Sequence, residues 1–500
     1  MKRKALKIFA SMIACVMSIF VFCGCFSQNI LKSVSKNLSE YEIDVSLDKE
    51  NMTLSGKEKI KVVNKTEVSL NSLCFNFYAR AFDENSAVKP YTVINEGKVF
   101  PNGVDYGSGT IQNAQVNAKP VAFKYVDQNS TAFEISLENL LEPGENVQVE
   151  IDFQVKLANS THRLGYFNGS VNLGNFFPIL AVYENGSFVT HPYYSTGDPF
   201  YSELANYKVN FECSKDYNFC SSGELLKKEE RQENVKYFTK AIAVRDFAIN
   251  LSKNSKTVSQ VVNNVQISYT GYDKDENLDQ NLQIAVKAFN YYSKAFGKYP
   301  YKTLSVVKAP FVHGGMEYPC MVVLSDSIFE QFDQAKVIVH EIAHQWWYAM
   351  VGNNQITEAW LDESLAEFSS VMFFENHPEF EASYEELVSE AFSIYTLYAD
   401  IVKSTSGQIK TSMLLPVNEY NSEYEYSYMI YVKGILMFDA LRQTIGKGRL
   451  EECLKKYFNE FKFKTVTTDE FIEFFKKCSK RDVEGFFDSW LQGKTIIGAV

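Results

Sequence analysis

Two histidines four residues apart, His340 and His344, enclose Glu341 in the run His-Glu-Ile-Ala-His. On a helix that spacing puts both imidazoles on one face. Their neutral nitrogens can then share one zinc ion, with Glu341 beside it to take a proton from water. Eighteen residues after His344, the run Trp360-Leu-Asp-Glu363 offers a third ligand, Glu363, from the next helix. Three protein ligands leave one position open, which marks a hydrolytic rather than a structural zinc site. Such a metal lowers the pKa of a bound water and polarises a scissile carbonyl, with Glu341 as general base. Two histidines and one glutamate in this role favour zinc over cobalt or manganese. Glu367 lies one turn beyond Glu363 and could hold the free ring nitrogen of a zinc histidine. The alternative is a buried helix with two satisfied histidines.

These residues need two helices that meet. From 332 to 500 nearly everything reads helical. The first motif helix is expected from about Asp333, a possible cap, to a stop at Gly352, and Thr357 is a plausible N-cap for the Glu363 helix. Thr467-Thr-Asp-Glu470 is a capping-box pattern ahead of a Phe-rich stripe. Upstream, Asn277–Phe296 carries a helical apolar stripe. A strand follows at Thr303–Lys308, and another runs through Gly314–Leu324. Residues 38–252 read as strands: Tyr41–Leu47 alternates, as does Val147–Val155 after the turn signal Glu142-Pro-Gly-Glu145. Residues 100–120, rich in Gly, Asn and Gln, read as a long surface loop. The expected class is multidomain α+β, with a large N-terminal antiparallel sandwich or saddle over 38–252 and a mixed, then helical, domain over 253–500.

The ends bound the setting. Lys2, Arg3, Lys4 and Lys7 form a positive n-region, Ile8–Phe22 an apolar stretch, and Phe22-Cys-Gly-Cys25 resembles a lipobox with Cys25 as the acylated residue. An uncleaved membrane anchor over 6–25 is the alternative. Residues 26–37 read as a tether, so the expected location is extracytoplasmic and attached to the membrane. The formal charge is −11, and removing the four leader cations takes it to −15. That gives no electrostatic case for nucleic acid. Of nine cysteines, six lie beyond the leader without zinc-finger spacing. Cys213 and Cys220 could bridge or remain free thiols.

The motif His-Glu-x-x-His, eighteen residues, then Glu resembles that of the gluzincin aminopeptidases related to aminopeptidase N and leukotriene-A hydrolase. Gly314-Gly-Met-Glu-Tyr-Pro319 looks like that family's Gly-x-Met-Glu-Asn signature, and Tyr431-Val-Lys-Gly434 is similar to its Tyr-x-Lys-Gly segment. The Arg245-Asp-Phe247 segment near the domain junction, the Asp198-Pro-Phe200 turn and the terminal Phe486–Leu491 stretch are also family-like. The resemblance covers roughly 38–495. It implies a thermolysin-like catalytic domain and a member without the C-terminal helical repeat domain. It also implies one zinc per chain and removal of N-terminal residues from peptides. Glu317 would bind the substrate α-ammonium, with Gly314, Gly315 and Met316 shaping that edge. Tyr431 would donate to the oxyanion. Tyr426 is a weaker candidate for lining the site, and Lys433 could support the tyrosine helix. Tyr318 replaces the usual asparagine, a change placed at the first specificity pocket. The Gln or Glu that the resemblance implies in the β domain, beside the ammonium group, has no firm equivalent; Glu184 is a candidate. His313 could line the cleft, whereas His162, His191 and His377 lack ligand spacing.

The reading that follows is a membrane-tethered zinc aminopeptidase acting on peptides with a free N-terminus. Aromatic richness around the site suggests neutral or hydrophobic first residues. A zinc endopeptidase on the same scaffold and a non-catalytic peptide-binding lipoprotein are the alternatives.

Overall fold

Strand β1, Ser39–Asp48, turns Tyr41, Ile43, Val45 and Leu47 inward and leaves the residues between them toward solvent. That alternation is what a half-buried strand requires. The computed structural model describes residues 30–126, 131–405, 409–495 and 497; the leader, Cys25 included, lies outside them. β1 sits in an eight-stranded sheet with β2 (Thr53–Val63), β3 (Ser108–Val116), β4 (Lys119–Pro120), β5 (Asn146–Lys156), β6 (Ala205–Ser214), β7 (Glu224–Arg231) and β8 (Asn234–Val244). The order is β7-β8-β6-β1-β2-β5-β3-β4. All pairs are antiparallel except β1 with β6. Two four-stranded sheets and a two-stranded hairpin, Tyr183–Glu184 with Ser187–Phe188, complete the sheets of this half among the described residues.

Two expectations for this half are corrected. Residues 108–120 are strands, not loop. Ile111, Ala114 and Val116 are buried, but a bulge between Ile111 and Asn113 breaks their period and hid it in the sequence. The described part of the expected tether is docked: Leu31 and Val34 pack with Leu38, Leu204 and Ala243, and Asn206 donates to the Ser35 carbonyl at 2.9 Å. Cys213 and Cys220 are both free, buried thiols.

Sheet membership changes after Ser252. A five-stranded sheet, order β9-β10-β11-β13-β12, is built from β9 (Ser255–Val262), β10 (Val265–Tyr272), β11 (Thr303–Ala309), β12 (Gly315–Met316) and β13 (Met321–Ser325). β10, β11 and β13 run parallel, and helix α1, Leu278–Ala295, makes the crossover from β10 to β11. The single strand expected over 314–324 is instead a β12–β13 hairpin, reversed at 317–320 where Cys320 has φ 63°. Helices α2 (Gln331–Ala343), α3 (Trp360–Glu375), α4 (Tyr384–Thr405), α5 (Lys433–Ile445), α6 (Lys447–Phe461), α7 (Thr468–Ser479) and α8 (Glu484–Leu491) follow. The capping box at Thr467 and Glu470 is formed.

Helix α2 is shorter than the sequence suggests. It ends at Ala343, not at Gly352, and α3 is capped by Ala359 rather than Thr357. Gly352 has another role: a Cβ there would fall 2.1 Å from Arg245 Cζ. The buried Arg245 guanidinium donates to the carbonyls of Tyr348 (3.0 Å), Lys464 (2.7 Å) and Ser202 (3.2 Å) and to Thr465 Oγ1 (3.1 Å). One side chain from the β half thus satisfies backbone left open by the early end of α2.

Glu58 violates the pattern of its strand. It faces inward between Ile43 and Ile151, fully buried, and neither oxygen has a hydrogen-bond partner. Burial pushes its carboxyl well above the ordinary value of 4.5. The folded form therefore keeps it protonated, while the unfolded chain ionises above about pH 4.5. Wild-type stability falls through that window as pH rises. Glu58→Leu is expected to stabilise the fold by about 1–3 kcal/mol. The gain should be small at pH 4 and larger at pH 8 in urea unfolding. A pH-independent or negative effect would contradict a neutral, unpaired Glu58.

Candidate active site

The last turn of α2 and the first turn of α3 bring three donor atoms together. His340 Nε2 and His344 Nε2 lie 3.0 Å apart, and Glu363 Oε2 is 3.2 Å from each. His344 Nδ1 is 3.0 Å from the Trp347 carbonyl, which only accepts, so Nδ1 carries the proton and Nε2 presents a lone pair. Lone pairs crowded in this way call for a cation between them. Donors bound about 2.0–2.1 Å from one zinc at tetrahedral angles sit roughly 3.3 Å apart, close to the spacing here. Glu367 Oε1 is 3.5 Å from His340 Nδ1, which has no hydrogen-bond partner. Glu367 is thus on the expected side of His340, at longer than hydrogen-bond range.

Glu341 sits beside this triangle, with Oε2 buried and unpartnered. A Cβ at Gly315 would fall 2.2 Å from Glu341 Oε1, so edge strand β12 approaches this carboxylate only because residue 315 has no side chain. Gly314 and Gly315 both line the cleft. Glu317 follows at the hairpin reversal. Gln345, just past α2, holds that reversal by accepting from Cys320 N at 2.8 Å and donating to the Tyr318 carbonyl at 3.2 Å. Gln355 Nε2 bridges Glu317 Oε1 and Asp362 Oδ2 at 2.8 Å each. Donor atoms of Glu317, Glu363 and Asp198 all lie within 4.8 Å of one another.

The electrostatics describe a site rich in negative charge. Burial, reinforced by Glu317, pushes Glu341 well above the carboxylate range. Burial and then Asp198 bring Glu317 to about 8, and burial and then Glu363 bring Asp362 to about 7. Burial opposes charge on His344, yet Glu363, Glu317 and Asp362 together raise it. Burial also opposes charge on Glu363, and His344 and His340 hold it low. Five buried carboxylates, those of Asp198, Glu317, Glu341, Asp362 and Glu363, share this space with one buried guanidinium, Arg163. A divalent cation reverses that imbalance, and the donor set fits zinc.

Tyr431 approaches from the opposite side. It lies in a π-helical turn, Tyr428–Val432, between a short helix and α5. Its ring stacks on His340, with centroids 5.9 Å apart, and Glu363 is among the groups that raise its phenol. Ser364 on α3 donates to the Ile430 carbonyl at 2.6 Å. A Cβ at Gly434 would fall 2.5 Å from Ser364 Oγ, so this glycine lets α5 and α3 meet closely. Lys433 is buried and donates to the carbonyls of Trp490 and Thr411, at 2.8 and 2.5 Å, which anchors the tyrosine turn. Tyr426 lines the cleft with its hydroxyl unpartnered.

The cleft encloses about 600 Å³. It gathers His340, Glu341, His344, Glu363, Glu367, Glu317, Tyr431 and His313. It excludes three residues from the expected roles. Tyr318 is buried away from the cleft against Gly174, where a Cβ would overlap its hydroxyl, so it does not shape a specificity pocket. Met316 is buried and outside the cleft lining, where its sulfur accepts from Arg163 Nε at 3.1 Å. Glu184 accepts from Tyr201 at 3.1 Å, outside the cleft. The acidic group from the β half is Asp198, salt-bridged to Arg163. Nothing local in the sequence distinguishes a turn aspartate such as Asp198 from a site aspartate, and Asp362 carries no mark apart from its place next to Glu363.

Residues 280–490 match the Peptidase family M1 domain. Leukotriene A-4 hydrolase of Xenopus laevis is 24% identical over 394 residues, 75% of this chain and 62% of that protein. Aminopeptidase N of Lactobacillus helveticus is 27% identical over 264 residues, 50% of this chain and 30% of that one. The chain thus spans less than two thirds of the length of these relatives. An M1 zinc metallopeptidase from Deinococcus radiodurans superposes with a TM-score of 0.64 at 16% identity, covering 92% of this chain and 95% of that one. A mutant of it bound to a Tyr-Ser-Ala substrate gives the same TM-score.

Metal binding tests this geometry directly. The purified chain is expected to hold about one zinc per molecule. Glu363→Gln should weaken zinc by at least about 100-fold, and Glu367→Gln by about tenfold at most, in competition with a chromogenic chelator. Unchanged affinity in Glu363→Gln would exclude it from the ligand set.

Proposed function

We propose that this chain, whose residues 280–490 form a peptidase family M1 domain, is a zinc-dependent aminopeptidase that releases N-terminal residues from peptides. The observation that carries this reading is the position of Glu317. Its carboxylate lies beside, but outside, the His340–His344–Glu363 triangle, within 4.8 Å of Glu363 and Asp198 donors. An α-ammonium held there has its own carbonyl two bonds away, next to the triangle. Glu317 thus measures one residue. Asp198 supplies a second negative group to the same ammonium, fixed by Arg163.

Zinc bound by His340, His344 and Glu363 would supply Lewis acidity toward a water and a carbonyl. The remaining work belongs to side chains. Glu341 accepts a proton from the attacking water through its unpartnered Oε2 and returns it to the leaving amine. Tyr431, kept protonated by burial, donates its hydroxyl to the oxygen that gains charge. Tyr426 and Tyr431, which line the cleft beside Glu363 and Asp198, support neutral or hydrophobic first residues. The n-region, the apolar stretch and Cys25 support an extracytoplasmic, lipid-anchored location. Among the described residues no helix is long and apolar enough to cross a membrane.

Glu341→Gln is expected to lower kcat by about 10²–10⁴-fold with zinc content unchanged. Glu317→Gln should lower kcat/KM for free-amine peptides by at least about 30-fold. Wild type should cleave a free peptide and spare its acetylated twin. Equal cleavage of both would point to an endopeptidase, and bound zinc without any turnover to a peptide-binding protein. Labelling of cells with radioactive palmitate should mark wild type and not Cys25→Ser; unlabelled wild type would remove the lipid anchor.

A further inference from the structure

The cleft changes character along α3. Asp362 and Glu363 occupy the first turn of that helix, Glu367 the next, then Val371 and finally Phe374, about 16 Å further along its axis. The polar end holds Glu317 and Asp198. The other end is lined by α4, which contributes Leu387 and Ile394 along with Glu390, paired to Lys336 at 3.3 Å. A peptide whose amine is held at the polar end must lead its downstream residues toward α4.

Helix α4 does not stop being apolar where the cleft ends. Leu387, Ile394 and Ile401 lie within about 40° of one another around the helix, with Leu397 beside them. Ile394 is 37% exposed, Leu397 63% and Ile401 52%. The face that packs on the protein is a different one, formed by Tyr384, Ala391, Tyr395 and Ala399. A large aliphatic stripe left in water is the informative exception on a soluble surface. This one is continuous with the cleft through Ile394, which belongs to both.

We propose that the Ile394–Leu397–Ile401 stripe of α4 is a docking strip for apolar residues downstream of the cleaved bond, so that the preferred substrates are longer peptides with apolar residues beyond the cleft. Ile394 to Ile401 spans about 10 Å of helix, matching roughly three residues of extended peptide. The proposal rests on the reading of the cleft as a peptide site. It goes further by naming the part of the substrate that no first-residue pocket can read.

The test uses two nonapeptides that share their first five residues and differ at positions 6–8, Leu-Phe-Leu against Ser-Gly-Ser, plus leucine coumarylamide, which has nothing downstream; the cleft's length of about 16 Å takes up about five extended residues. Wild type should prefer the apolar nonapeptide by about tenfold in kcat/KM. The double variant Leu397→Glu/Ile401→Glu should lose that preference and cleave the coumarylamide at the wild-type rate. Equal kcat/KM for the two nonapeptides in wild type, or a preference that survives the double variant, overturns the proposal. Anisotropy of C-terminally labelled nonapeptides on Glu341→Gln enzyme gives a readout independent of turnover. Tighter binding of the apolar peptide, lost in the Glu341→Gln enzyme that also carries the double substitution, supports the strip even if no substrate is hydrolysed. Equal binding overturns it. Phosphatidylglycerol vesicles that retain wild type and release the double variant, with peptide discrimination intact, would show a lipid-facing surface and overturn it too.

Discussion

Three ligand atoms are held 3.0–3.2 Å apart in a buried pocket, and much of the surrounding fold serves to keep them there. His344 reaches its position because α2 ends one residue before it, and the chain folds back so that the Trp347 carbonyl fixes its ring. A longer helix would have placed His344 in a regular turn without that fixed proton. Early termination leaves backbone groups open, and Arg245 closes part of that account from the other half of the molecule. The site therefore depends on a contact about a hundred residues away in sequence.

The same dependence joins the halves at the acidic end. Arg163 and Asp198 come from the β half, whereas Glu317 and Glu363 come from the C-terminal half. Arg163 contacts both Asp198 and Met316, so it ties the aspartate to the edge strand that carries Glu317. The C-terminal half expressed alone would lack Arg245 and Asp198 together. It would have the triangle without the groups that hold its turn and complete its acidic end.

Much of this was legible in the chain because ligand chemistry constrains spacing. His340, Glu341, His344 and Glu363 are separated by helix geometry and one short connection, so residue types and intervals were enough. Glu317 and Tyr431 were legible only through resemblance, since a glycine-flanked glutamate and one tyrosine among several carry no local mark. Asp198 was missed for a physical reason: its role comes from tertiary approach, which no local periodicity records. The element ends were misjudged where tertiary demand overrode local signals. Gly352 resembled a helix stop but answers to Arg245, and the bulge in β3 disguised a strand as a loop.

The π-helical turn at Tyr428–Val432 sets a limit on how this chain can vary in length. A π turn holds one residue more than an α turn. Deleting any one residue of that segment would let the backbone relax into a smoother α-helix, a local gain. It would also rotate the preceding residues by about 100° relative to α5, carrying Tyr426 and the upstream part of the turn out of register with the cleft. Lineages of this chain should therefore keep that segment's residue count even where its sequence drifts, because the irregularity keeps Tyr426 facing the same cleft as Tyr431.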